Sequence, residues 1–182
     1  MLDIWGDTAP GTGLLMEAGD QDGFCIPVAH SLGKVSWLER PAAQCLLSMN
    51  DQDGSPFYAD PRTVLDRVLA CFREDGYQAV VALELEFYLV DQKLLPNGHP
   101  QAPGIPGSPQ RYSDTQLLSM IEMQDFDVVF TAIESASEAL GIPAETVLKE
   151  NSPGQFELNL HHQSDALVAA DQAFLLKRLI KG

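Results

Sequence analysis

Residues 82–90, ALELEFYLV, constrain this chain most. Apolar and polar side chains alternate with period two, a spacing that one face of a helix cannot hold, so the stretch predicts a β-strand. Leu83, Leu85, Phe87 and Leu89 point one way, while Glu84, Glu86 and Tyr88 point the other. Two carboxylates therefore leave an otherwise apolar strand side by side. Burying them without partners is costly. Two arrangements avoid that cost: a hard divalent cation bound through oxygen, or a sheet face open to water. Taken alone, the strand needs nothing more than the wetted face.

A second stretch, residues 149–162 (KENSPGQFELNLHH), repeats the pattern. Phe156, Leu158 and Leu160 face one way; Gln155, Glu157, Asn159 and His161 face the other. The matched alternation predicts that strands 78–90 and 155–161 are antiparallel neighbours, with Glu84, Glu86 and Glu157 on one face. Glu150 lies just before the second strand. Four carboxylates brought together repel one another and call for cations. Mg²⁺ or Mn²⁺ suits an all-oxygen site, and two such ions could serve phosphoryl transfer. Acidic strand faces wetted by solvent remain the alternative.

The rest of the chain predicts an α+β fold. Asp60 is an N-cap with Pro61 at the first helical position, and Val64, Leu65, Val68, Leu69 and Phe72 form an apolar stripe that ends at Gly76. A second helix is expected from about Asp125 to Leu140, stopped by Gly141 and Pro143. A third follows Asp165 to about Lys181, with Leu167, Ala170, Phe174 and Leu175 as packing positions. Residues 1–36 are rich in turns, with a short strand at 24–28 whose Pro27 suits an edge. Residues 44–49 make another strand, followed by a turn at 51–54. The Pro- and Gly-rich residues 91–111 read as a solvent-exposed flap.

Charge narrows the partners. Twenty-six acidic against 11 basic residues, net −15, argue against nucleic-acid binding and favour divalent metals or a cationic substrate. Cys25, Cys45 and Cys71 form no CxxC pair, which argues against a disulfide framework or a zinc site and suits a reducing, cytoplasmic setting. No apolar run is long enough to span a bilayer, and no signal peptide is visible.

At this point the chain resembles a known family. ELEFYL at 84–89 is similar to the Glu-x-Glu-Phe strand of the glutamine synthetase family, and ENSPGQFE at 150–157 to its second metal strand. DGSPFYADPRTVL at 53–65 resembles the opening of its catalytic domain, and WLERPAAQCL at 37–46 the end of its small N-terminal β-grasp domain. FELNLHH with DQAFLLKRLIKG looks most like the γ-glutamylpolyamine synthetase branch, with putrescine as amine. The resemblance implies a partial β-grasp domain over residues 1–55. Over 56–182 it implies the first part of a catalytic domain built on a curved antiparallel sheet.

It also implies roles. Glu86, Glu150 and Glu157 match ligands of the metal on the substrate side, and Glu84 a ligand of the metal on the ATP phosphates. Glu145 lies where the family tends to have an acidic residue near the nucleotide, and His162 falls beside a nucleotide-flanking position. A plain helix-end glutamate and a solvated histidine are the alternatives. Gln155 belongs to the motif with no catalytic role assigned, and Asp3 corresponds to a loop aspartate that reaches a neighbouring subunit's amine site. The implied reaction joins the γ-carboxylate of glutamate to an amine, with ATP as co-substrate, in a ring-forming homo-oligomer. The family's further histidine, arginine and glutamate motifs have no match here, so an internal, inactive piece of a larger enzyme is expected. Glutamine synthetase proper, using ammonia, and a non-catalytic metal-binding or subunit-interaction module are the alternatives.

Overall fold

A computed structural model describes Trp5 and residues 23–182. The elements run β1 (Phe24–Pro27), a single 3₁₀ turn, β2 (Gly33–Lys34), β3 (Ala43–Gln44), β4 (Leu47–Asn50), α1 (Pro61–Glu74), β5 (Glu84–Tyr88), α2 (Met120–Asp125), α3 (Asp127–Leu140), β6 (Ala144–Lys149), β7 (Gln155–Leu160) and α4 (Ala166–Ile180). β1 pairs with β4 and β2 with β3, both antiparallel. The sheet that matters for the site has the order β5-β7-β6, antiparallel throughout.

That sheet has one dry face and one wet face, as its alternation requires. Phe156, Leu158 and Leu160 of β7 are buried. They pack with Ile133 and Ala136 of α3 and with Ala173, Leu175, Leu176 and Leu179 of α4, while Leu83, Leu85 and Phe87 join from β5 half-buried. A second cluster sets Phe126 and Phe130 edge-on against Phe156, with ring centroids 5.6 and 4.9 Å away. Two helices on one face of a sheet make a two-layer α+β unit.

The helix ends follow their sequence signals. Asp60 accepts from Thr63 N–H, and Asp165 accepts from Leu167 and Val168 N–H, which satisfies first-turn donors. Gly141 closes α3 at φ 66°.

Five details differ from the sequence expectation. The strand expected over 78–90 is regular only at 84–88. It continues as single contacts: Leu160 N–H to Leu83 O at 3.0 Å, then Val81 paired with Gln163. The expected second helix is preceded by the separate turns of α2, and β6 forms where no strand was expected. The stripe of α1 is not a core stripe: no α1 residue is buried, and Val64, Val68 and Phe72 stay nearly half exposed because α1 rests mainly on α4 among the described elements. Phe174 of α4 is 62% exposed rather than packed.

Candidate functional site

The register of β5 on β7 sets Glu86 directly opposite Glu157 and Glu84 opposite Asn159. Residues directly opposite in a sheet share a face. Glu84, Glu86, Tyr88, Gln155, Glu157 and Asn159 therefore form one polar surface, on the side away from α3 and α4. Leu148 of β6 stands opposite Glu157 on its other flank. Two residues on, Glu150 meets Gln155 through its N–H to the Gln155 carbonyl, 2.9 Å, which puts Glu150 on the same side. The fold thus gathers onto one face all four glutamates that the sequence singled out. Like-charged Glu86 and Glu157 face each other across a ladder rung, an arrangement that weakens a sheet unless something positive lies between them.

Gln155 is the first of three residues whose part is visible in the structure alone. Its Nε2 donates to Glu86 Oε2 at 2.8 Å, and its Oε1 accepts from Ser152 N–H at 3.0 Å. One amide therefore ties the β5 carboxylate to the 150–154 turn. The other two are Lys149 and Glu122, with side chains 0% and 1% exposed. Lys149 Nζ donates to the carbonyls of Glu150 and of Ser152, the latter at 2.7 Å. Glu122 Oε1 accepts from Gly154 N–H at 3.1 Å. A lysine between Leu148 and Glu150 carries no periodic signal of burial. Its role follows from packing.

The turn is held from outside as well. Leu89 N–H donates to the Gly154 carbonyl at 2.8 Å. Gly154 sits at φ 73°, and a β-carbon there would lie 2.6 Å from Pro103 Cδ. Residues 91–111 are therefore more than a flap. They fold back through Arg111, which bonds Asp91 at 2.5 Å and the Ala102 carbonyl, and they set Pro103 against the turn. The Lys93 N–H and the Arg111 guanidinium hold the Asp91 carboxyl below its usual range. Next along the chain, Tyr112 Oη donates to Asp125 Oδ2 at 2.6 Å, and that carboxylate pushes the phenol up to about 12.

The two nucleotide-side candidates stand elsewhere. Glu145 lies at the irregularity between Ala144 and Thr146, and its carboxylate faces His161 Nδ1 at 3.3 Å on the surface. It lines a small groove against α3 with Asp127 and Glu134. His162 is exposed. Asp3 lies outside the described residues.

The donor set suits a hard cation: carboxylate and amide oxygens. Convergence is incomplete. Among the described residues, no three Asp, Glu, His or Cys side chains stand close enough to hold an ion. A groove of about 850 Å³ runs along the free edge of β5, lined by residues 84–89 and by Lys177, Ile180 and Lys181 of α4. No helix among the described residues is long and apolar enough to cross a membrane.

The family described as glutamine synthetase, catalytic domain, matches residues 58–182, which include all four glutamates. Gamma-glutamylputrescine synthetase PuuA of Escherichia coli strain K12 is 39% identical over 180 residues, covering 99% of this chain and 38% of that protein. Glutamate–isopropylamine ligase of a Pseudomonas species is 29% identical over 165 residues, covering 91% of this chain and 35% of that protein. Among solved structures, a GmaS/ADP complex superposes with a TM-score of 0.73 at 26% identity, covering 92% of this chain and 36% of that one. The chain thus spans little more than a third of the proteins it matches. With Glu86 and Glu157 facing each other in the strands that carry the match, the chain belongs to the glutamine synthetase family.

Proposed function

We propose that this chain is part of an ATP-dependent carbon–nitrogen ligase that joins the γ-carboxylate of glutamate to an amine. A γ-carboxylate oxygen attacks the γ-phosphorus of ATP, ADP leaves, and γ-glutamyl phosphate results. The amine nitrogen then attacks the γ-carbonyl carbon, phosphate leaves, and the nitrogen loses a proton. The carrying observation is the facing pair Glu86 and Glu157 on the open polar side of the sheet, flanked by Glu84 and Glu150. In this reading Glu86, Glu150 and Glu157 hold one divalent cation, Mg²⁺ or Mn²⁺, and Glu84 contributes to a second. Such ions would neutralise charge on the transferred phosphoryl group. The chain's own work is to aim these carboxylates: Gln155 fixes Glu86, and the 150–154 turn fixes Glu150.

The amine is assigned as a polyamine, putrescine in particular. Relatives named for putrescine and for isopropylamine support an organic amine over ammonia, and the net charge of −15 suits a cationic one. Glu145 and His162 remain candidates for the nucleotide side. A cytoplasmic homo-oligomer completes the reading.

Phosphate release, measured with glutamate, ATP and either putrescine or ammonia, tests the assignment on the 182-residue chain and on the intact protein that carries it. No turnover is expected from the chain alone, because it spans little more than a third of its relatives and the loss of even one preorganised donor can cost ~10²–10³ in rate. The intact protein should prefer putrescine. Use of ammonia but not putrescine would move the assignment to glutamine synthetase proper. Turnover by the chain alone would show that these residues suffice.

A further inference from the structure

We propose that Lys149 and Glu122 form a buried positioning pair that holds the 150–154 turn, and through it Glu150 and Glu157, in place for a divalent cation. The inference rests on the metal reading given above.

Lysine is among the residues least often fully buried, and it is buried only with partners. Lys149 sits on the dry face, opposite Phe156 in register, with its Nζ 5.8 Å from the Phe156 ring centroid. From there it reaches under the strand end. Two of its three donors are spent on backbone carbonyls, those of Glu150 and Ser152. Its charge is met by Glu122 Oε2 at 3.7 Å, an oxygen with no hydrogen-bond partner of its own. The other Glu122 oxygen takes Gly154 N–H. Two side chains, one on β6 and one on α2, thus hold two carbonyls and one N–H of a five-residue turn.

That turn carries Glu150 at its start and delivers Gln155 and Glu157 onto β7. A plain salt bridge could have joined α2 to β6 anywhere along the strand. This one is spent on the backbone that aims carboxylates on the opposite face, so the pair sits directly behind the site without touching it. Groups that orient metal ligands from behind typically change metal affinity about 10–100-fold when lost.

The test uses the full 182-residue chain, with Mn²⁺ alone as probe. The double variant Glu122→Gln/Lys149→Met removes both charges together, so neither is left buried and unpaired. Glu122→Gln, which keeps an oxygen for Gly154 N–H, is the second variant if the double one does not fold. Backbone amide exchange at Ser152, Gly154 and Gln155 reports the turn, and Mn²⁺ titration followed by electron paramagnetic resonance reports the site. The expected result is about tenfold faster exchange at the turn, with Leu158 and Leu160 unchanged, and a Mn²⁺ dissociation constant raised about 10–100-fold. Unchanged exchange at the turn overturns the proposal. So does faster exchange with unchanged Mn²⁺ affinity, which would make the pair purely structural. Glu157→Ala separates the two readings. If it binds Mn²⁺ like the unaltered chain, or if the unaltered chain binds none, the metal assignment itself fails and this inference falls with it.

Discussion

At the scale of single residues, Gly154 is the least replaceable position near the site. Its φ of 73° disfavours any L side chain, and a β-carbon would also meet the Leu89 carbonyl at 2.7 Å. That oxygen belongs to the backbone just past β5, pinned by the Leu89 N–H bond to the Gly154 carbonyl, and cannot swing aside. Gly154→Ala should therefore cost about 1–3 kcal/mol, read as a lower urea midpoint at unchanged m-value. Gly76→Ala serves as control: its φ is 78° but nothing lies within 4 Å, so it carries the backbone penalty alone, about 1 kcal/mol. Equal losses at the two positions would show that the contact at Gly154 contributes nothing.

At the scale of elements, the segment between β5 and α2 is tied down by polar contacts in place of regular structure. Tyr112 joins it to α2 through Asp125, and its ring packs with the Phe126–Phe130–Phe156 cluster. The phenol is raised from 10.0 to about 12, chiefly because it donates to Asp125. A raised pKa means that the folded state holds the proton more tightly than the unfolded one. The bond's contribution is complete below pH 10 and disappears as pH rises towards 12. Between those values the unaltered chain should lose stability more steeply than Tyr112→Phe, as measured by urea unfolding at pH 8, 10 and 11. At pH 8 the variant should be less stable by about 1 kcal/mol. Parallel pH profiles for the two proteins would count against the bond. Asp91 acts in the opposite sense at the loop base. Its lowered pKa gives a contribution present above the ordinary aspartate value of 3.8 and lost on acidification below it.

At the scale of the whole molecule, Asp171 of α4 joins three parts of the chain. Its carboxylate is 7% exposed, accepts from Arg62 Nε of α1 at 3.2 Å, and lies 2.9 Å from His30 Nε2 beside β1. Arg178 of α4 also donates to Gln44 of β3 at 2.6 Å, and Trp37 and Leu46 pack against the main core. The N-terminal strands are thus fastened to the unit that carries the β5-β7-β6 sheet by polar pairs as well as by packing. Asp171→Ala leaves Arg62 without its carboxylate, but Arg62 is 29% exposed and water will screen it. A loss of about 1–3 kcal/mol is expected, together with faster proteolytic cleavage between β4 and α1. Cleavage at an unchanged rate would show that the Asp171 pairs do not help to hold the two parts together.

What the sequence determined by itself was local and periodic. The alternation in 82–90 and 155–161 specified two strands and their wet and dry faces, because a period of two leaves no other way to segregate Leu and Phe from Glu. Asp60, Asp165 and Gly141 marked helix ends, because orphan N–H groups need acceptors and a left-handed terminus favours glycine. The motifs at 84–89 and 150–157 pointed to the four glutamates. The tertiary structure decided what depends on non-local contact. It decided the pairing of Glu86 with Glu157, the shortening of β5 where its partner strand ends, and the exposure of the α1 stripe. It also decided the burial of Lys149. Neither residue of the Lys149–Glu122 pair is periodic or apolar, and they are 27 positions apart in sequence. Each can be buried only because the other is there, and nothing short of the packed fold brings them together.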